Sequence, residues 1–128
     1  EICDNVRFLG KQDAVEEILS VSDLFIMPSE SESFGLAALE AMACKVPVIT
    51  SNAGGLPELN IDGVTGFMDN VGDIDGMAKH SIFILKDDKQ LAAFKEGALK
   101  RAHQFDLSLI LPFYEQYYMD VLKEAASK

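Results

Sequence analysis

The sequence predicts an α/β fold in which a parallel sheet is covered by helices on both faces and followed by helices alone. Two runs, residues 24–27 and 47–50, are short, apolar and separated by a stretch of helix formers, the pattern of strands buried on both sides. The first passes through a polar loop directly into a helix, the order strand, loop, helix. From about Asp73 onward the periodicity is helical, three times over.

Taken in order, a first strand is expected at Val6, Arg7, Phe8 and Leu9, ended by Gly10. A helix over residues 14–21 follows, with Asp13 as its cap and Glu16, three residues on, completing a reciprocal capping pair. The strand 24–27 leads to a helix over 36–44, then to the strand 47–50. The segment Ser51 to Glu58 is turn-rich, and Pro57 suits the start of a single helical turn over 57–60. Gly63 and Gly66 frame a tight turn before Phe67 and Met68, a short strand at the sheet edge. One late helix carries an apolar stripe between Met77 and Leu85, and the next places Leu91, Phe94, Ala98 and Ala102 at helical spacing. The last contains Pro112 among aromatics. Proline is tolerated in a first turn, where its missing N–H is not needed, so this helix is expected to start no earlier than Ser108.

The 128 residues, 48% of them apolar, suffice for one domain spanning 1–128 with a core that needs no staples. A net charge of -10 argues against nonspecific nucleic-acid binding, which requires clustered Lys and Arg. No apolar run reaches membrane-spanning length and no charged-then-apolar leader is present, so a soluble, cytoplasmic protein is expected. Cys3 and Cys44 are too few and too far apart for a disulfide framework, a zinc site or a redox pair; Cys44, among apolar neighbours, is expected to be a buried, inert thiol. The abrupt entry into a strand, with no initiator Met, suggests a piece of a longer chain.

The richest segment for function runs from Glu32 to Glu40. It follows a strand and opens a helix, the place where parallel α/β sheets bind anionic ligands. A helix beginning near Phe34 leaves the N–H groups of Ser33, Phe34, Gly35 and Leu36 unpaired at the positive end of its dipole. Gly35 lets a phosphate approach the backbone. The alternative is an ordinary helix start capped by Ser31 or Ser33, and the loop chemistry leaves both open. It is no Walker loop, for it has a single Gly and no following Lys. Glu32 and Glu40 bracket the helix start. Neither suits a phosphate, so both favour hydroxyl-bearing partners, and Glu40, flanked by Leu39 and Ala41, calls for one. Adjacent ribose hydroxyls would serve. At Gly10, Lys11 and Gln12, backbone polar groups either read the edge of a nucleotide base or form a plain surface turn. Gly54 to Glu58 reads as a tight turn with a helix start. His80 and His103 have no metal-spaced partner and neither lies near a strand end, so no metal site and no Ser-His or Cys-His arrangement is expected.

The pair Glu32 and Glu40, with Ser33-Phe34-Gly35-Leu36 between them, Ala41-Met42-Ala43-Cys44 after them and Pro47-Val48-Ile49 beyond, resembles the retaining glycosyltransferases of family 4. The Gly54-Gly55-Leu56-Pro57-Glu58 loop, the Asp62-Gly63-Val64-Thr65-Gly66 turn and the final aromatic helix fall in the same order, so the resemblance covers nearly the whole chain. It implies a GT-B enzyme of two Rossmann-like domains, of which this stretch is most of the C-terminal, donor-binding one. Glu32 would then act at the catalytic centre on the transferred sugar, the backbone from Ser33 to Leu36 would hold sugar and diphosphate, Glu40 the ribose, and Gly10, Lys11 and Gln12 the uracil. The reaction implied is transfer from a UDP-sugar to an acceptor hydroxyl with retention, without cofactor or metal. Within the family, the segments at Phe8 to Asp13 and Tyr117 to Leu122 are similar to the branch that transfers N-acetylglucosamine from UDP-N-acetylglucosamine to L-malate in bacillithiol synthesis. The acceptor would be held mainly by the other domain, and the parent could form a homo-oligomer. Two features depart from the pattern. Lys45 stands where the family usually has Gly, a change expected to matter little at a helix end. The family's phosphate-binding Arg and Lys lie upstream, so this stretch alone is expected to be inactive. A noncatalytic domain or a UDP-sugar epimerase of the same architecture are the alternatives.

Overall fold

The computed structural model describes residues 2–127. After a 3-10 turn, Ile2–Asn5, the elements are α1 Val15–Ser20, β1 Phe25–Met27, α2 Leu36–Ala43, β2 Val48–Ser51, α3 Leu56–Leu59, β3 Gly66–Asp69, α4 Ile74–Leu85, α5 Asp88–His103 and α6 Leu107–Ala126. The three strands form one parallel sheet in the order β1-β2-β3, with Phe25 opposite Val48 and Val48 opposite Gly66, so β3 lies at an edge as expected.

Both faces of β2 are covered, whereas the expectation of burial on both sides fails for β1, whose Ile26 is exposed at the sheet edge. Successive residues of β2 point to opposite sides. Val48 joins Ala38, Ala41, Met42, Leu56, Leu59, Ala98 and Ala102 in one core, whereas Ile49 joins Met77, Ile84 and Phe94 in another. All four residues of β2 are buried, Val48 and Ile49 in the two cores and Thr50 and Ser51 with their hydroxyls hydrogen-bonded, so the strand shows no apolar–polar alternation. Helix α5 contributes Phe94 to one core and Ala98 and Ala102 to the other, along the predicted stripe. Helix α6 buries none of its twenty residues.

A buried polar cluster ties β2, β3 and α3 together. The Asn60 Nδ2 donates to Thr50 Oγ1 at 2.8 Å and to the Phe67 carbonyl at 2.9 Å, while its Oδ1 accepts from the Thr65 hydroxyl at 2.6 Å. Thr65 Oγ1 in turn accepts the Ile61 N–H at 2.8 Å. Among the described residues no fully buried side-chain N or O lacks a partner.

Helix α2 ends in a Schellman arrangement. The N–H of Lys45 donates to Met42 O and that of Val46 to Ala41 O, both at 3.0 Å, and Val46 packs in the core with Ala41. This geometry requires a left-handed residue at position 45. Lys45 adopts it with φ 65°, the one non-glycine residue with positive φ among those described. The departure from Gly is therefore a strained one, contrary to the expectation that it matters little.

Several expectations need correction. Residues 6–9 form no strand: the outer edge of β1 pairs with nothing among the described residues, and Val6, Leu9 and above all Phe8, 98% exposed, enter no core. Asp13 does not cap α1. The helix starts at Val15 with Ala14 as its N-cap and no side-chain cap, which sets Asp13 one residue too early. Helix α6 starts at Leu107, capped by Asp106, which accepts the Ser108 N–H at 2.8 Å. Hydrogen bonds from the Ser108 hydroxyl and N–H hold the Asp106 carboxyl below its ordinary range. Pro112 consequently falls in the second turn, inside the helix, leaving the Ser108 carbonyl without its usual helical partner. Cys44 is half-buried against the first core rather than fully enclosed.

Replacing Asn60 with Leu removes three hydrogen bonds from this cluster and leaves the buried Thr50 hydroxyl without its partner, and should lower unfolding free energy by about 3 kcal/mol in urea denaturation. Lys45→Gly should raise it by about 1 kcal/mol, because the exposed ion pair of Lys45 with Glu96 offsets little of the relieved strain. An unchanged or lower denaturation midpoint for Lys45→Gly would contradict this account.

Candidate functional site

The loop between β1 and α2 is fixed from two sides. At its start the hydroxyl of Ser51, fully buried at the end of β2, donates to the Ser29 carbonyl. Further on it is covered by the loop after β2. The Gly55 N–H donates to Ser33 O at 3.1 Å, and a Cβ on Gly54 would stand 1.5 Å from the Glu32 carbonyl oxygen. A Cβ on Gly55 would meet Ser33 O at 2.4 Å. The two backbones touch directly, so glycines are required at 54 and 55 by approach and, at 54, also by a φ of +53°. The tight turn with a helix start is present, and it forms a wall of the loop that bears Glu32.

Gly35, with φ 95°, is the N-cap of α2, and no side chain caps this helix. The capped alternative with Ser31 or Ser33 is thus absent. The helix starts at Leu36, as its run of helix formers indicated, and not near Phe34, because a left-handed residue cannot lie in its first turn. Of the N–H groups expected at its positive end only that of Leu36 is there, followed by those of Ala37 and Ala38. The Ser33 N–H is taken by the carboxylate of Glu32, at 3.0 Å from Oε1. Leu36 and Ala37 are exposed, so their end of the helix faces open space.

Glu32 is half-buried at the loop, and Glu40 lies one turn into α2 on its outer face. At 100° per residue Glu40 points away from Ala38 and Met42, which are fully buried. Its carboxylate is exposed and has no need of a buried partner, correcting the expectation drawn from its apolar neighbours. Glu40 borders two depressions. One, of about 400 Å³, is shared with Asp13, Val15 and Glu16 at the start of α1 and with Cys44 at the end of α2. The other, of about 380 Å³, is shared with Leu36, Leu39 and the end of α5. Gly10, Lys11 and Gln12 are exposed, and Gln12 Nε2 donates to Leu9 O at 2.6 Å. These three do not line the depression. The chain brings them next to it through Asp13.

Phe34, in the middle of the segment, meets Phe105 edge to face at 5.5 Å, and both border a third hollow of about 500 Å³ with Leu36, Leu39, Ile110, Phe113 and Tyr114. Among the described residues no group of three or more His, Cys, Asp or Glu side chains is placed to hold a metal ion.

One arrangement escaped the sequence. His80 lies against the end of β3, its Nδ1 2.9 Å from Asp69 Oδ1, and its ring stacks on Phe67 at 4.3 Å. The separation of eleven residues across a turn and a helix carries no linear signal. Phe67 and His80, with Lys79, Ile82, Phe83 and Lys86, line a cavity of about 640 Å³ that shares no residue with the Glu32 to Glu40 segment.

A parallel sheet flanked by helices, with an uncapped helix N-terminus at the carboxyl end of a strand, defines a Rossmann-like α/β protein of the class that binds nucleotides. The family profile described as Glycosyl transferases group 1 matches residues 1–101, and the chain belongs to this family. It is 47% identical over 122 residues to N-acetyl-alpha-D-glucosaminyl L-malate synthase of Bacillus anthracis, covering 94% of this chain and 32% of that protein. It is 40% identical over 107 residues to D-inositol 3-phosphate glycosyltransferase of Mycolicibacterium smegmatis, covering 81% and 24%. The chain thus spans a third or less of the length of these relatives. Among solved structures, Anabaena HepE in complex with UDP superposes with a TM-score of 0.83 at 30% identity, over 96% of this chain and 33% of that one. Sucrose-phosphate synthase from Thermosynechococcus elongatus gives 0.86 at 31% identity, over 94% and 31%. The fold is that of the GT-B glycosyltransferases.

Gly54→Ala should force the two loops apart. A fall of about 2 kcal/mol or more in stability is expected, together with faster amide exchange at Gly55, whose N–H loses Ser33 O. Wild-type exchange at Gly55 in that variant would show that the contact is dispensable.

Proposed function

We propose that the chain is the donor-binding part of an enzyme that transfers N-acetylglucosamine from UDP-N-acetylglucosamine to a hydroxyl of L-malate, with retention at the anomeric carbon. The observation that carries the reading is the uncapped start of α2, clamped beneath Gly54 and Gly55 and flanked by two carboxylates eight positions apart. A free helix N-terminus carries about half a positive charge and offers N–H donors to a diphosphate. The similarity to the Bacillus anthracis synthase supports the sugar and the acceptor, and the superposition on a UDP complex supports the nucleotide.

Each residue then has a task. The N–H groups of Leu36 and Ala37 face the diphosphate and stabilise the charge that grows on it as the glycosidic bond breaks. Glu32, whose carboxylate is anchored on the Ser33 N–H, accepts hydrogen bonds from hydroxyls of the transferred sugar and fixes its orientation. Glu40, exposed beside the depression at the start of α1, accepts from both ribose hydroxyls. The turn at Gly10, Lys11 and Gln12 stands beyond Asp13, where the uracil would continue from that ribose. Phe34 and Leu36 exclude water from one side. Catalysis in this arrangement rests on positioning and on preorganised dipoles, with no covalent intermediate and no metal required. The remaining cationic groups for the diphosphate and the acceptor contacts come from elsewhere in the parent, and the 128 residues alone are expected to turn over no sugar.

In the full-length protein, Glu40→Ala removes two hydrogen bonds to a charged acceptor and should raise the Kd for UDP about 10-fold to 100-fold in calorimetric titration. Unchanged UDP affinity would remove the ribose role. UDP release that depends on added malate tests the acceptor in the same preparation.

A further inference from the structure

A single side chain distant in sequence touches both structures that flank the loop carrying Glu32. Arg101, in the last turn of α5, reaches the carboxyl end of the short helix α3: its Nε donates to Leu59 O at 3.2 Å and its Nη2 to Glu58 O. These carbonyls belong to a helix terminus that has no further turn to satisfy them. The same guanidinium lies over the Phe105 ring at 4.8 Å.

Both contacts lead to the same place. Helix α3 begins directly after Gly54 and Gly55, which press on the backbone of Glu32 and Ser33, and its Leu56 packs beneath Gly35. Phe105 supports Phe34 edge to face. One planar cation therefore holds, by its edge, the helix that walls the loop on one side and, by its face, the aromatic pair that supports it on the other. Lysine offers neither the fork nor the flat surface.

We propose that Arg101 is a positioning residue for sugar transfer: by locking α3 and Phe105 at once, it sets the placement of Glu32 to Gly35 against the donor. The inference rests on the donor reading above. The role differs from that of Glu40, since Arg101 acts on the sugar-side loop at second hand, through α3 and Phe105, and has no part on the ribose side of α2.

The test uses the full-length protein with Arg101→Ala and Arg101→Lys. Ile84→Val serves as a control in the other core, far from these contacts, with melting temperature followed for all. In Arg101→Ala, amide exchange at residues 33–36 should quicken at least tenfold and kcat for UDP release from UDP-N-acetylglucosamine should fall about tenfold, with the Kd for UDP changed less than threefold. Arg101→Lys should recover most of the melting temperature but less than half of the lost kcat. Ile84→Val should lower the melting temperature and leave exchange at residues 33–36 unchanged. Wild-type exchange at 33–36 in Arg101→Ala, or full recovery of kcat by Lys, would overturn the positioning role. Glu40→Ala separates the two readings: if it weakens UDP while Arg101→Ala leaves exchange at 33–36 as in wild type, only the positioning role falls. If it leaves UDP affinity unchanged, the ribose role assigned to Glu40 in the donor reading falls.

Discussion

The site depends on a contact between two stretches of backbone. Gly54 and Gly55 lie so close to Glu32 and Ser33 that no side chain fits between them, and the Gly55 N–H closes the gap with a hydrogen bond. Loops after adjacent parallel strands leave the same end of a sheet, so β1 and β2 bring these stretches together. The sheet alone leaves them free to splay. The glycine contact, with Ser51 holding Ser29 at the base of the loop, turns two flexible connections into one wall and fixes where α2 begins.

The helix start inherits its chemistry from that constraint. A left-handed Gly35 over Leu56 ends the loop abruptly, and the chain enters α2 with no serine or aspartate in capping position. A helix terminus left without a side-chain partner is less stable on its own than a capped one. Here the local sequence departs from what helix stability favours at the point where the proposed donor would supply oxygens to the free N–H groups. The outward direction of Glu40 follows from the same helix, because Ala38, Ala41 and Met42 occupy the inward face.

How far the sequence revealed this varies with the kind of signal. The strands and the stripe on α5 were legible because short apolar runs between helix formers mark parallel strands, even where β1 is only partly covered, and helical packing leaves a period. The Glu32 to Glu40 segment was legible as strand, loop and helix start, and its order with the later loops carried the family. Residues 6–9 misled, since an apolar run marks a strand only if another strand lies beside it. Asp13 and Pro112 misled through helix boundaries, which shift by a residue without changing the pattern. The exposure of Glu40 was hidden because neighbours in sequence lie on other faces of the helix. The contacts of Arg101 with α3 and of His80 with Asp69 join distant residues and left no trace in any window.

The Asn60 cluster has a consequence for how the chain reaches this fold. Strands of three or four residues specify their alignment weakly, and a slip of one position would turn every side chain over. Asn60 presents a donor group to β2 and β3 together, through Thr50 and the Phe67 carbonyl, and an acceptor to Thr65. The bond to Thr65 is local, but those to Thr50 and the Phe67 carbonyl are made together in the observed alignment of β2 with β3. A pairing shifted by one position separates those two partners and leaves part of the buried amide unsatisfied, so this one side chain favours the correct sheet over its nearest alternatives.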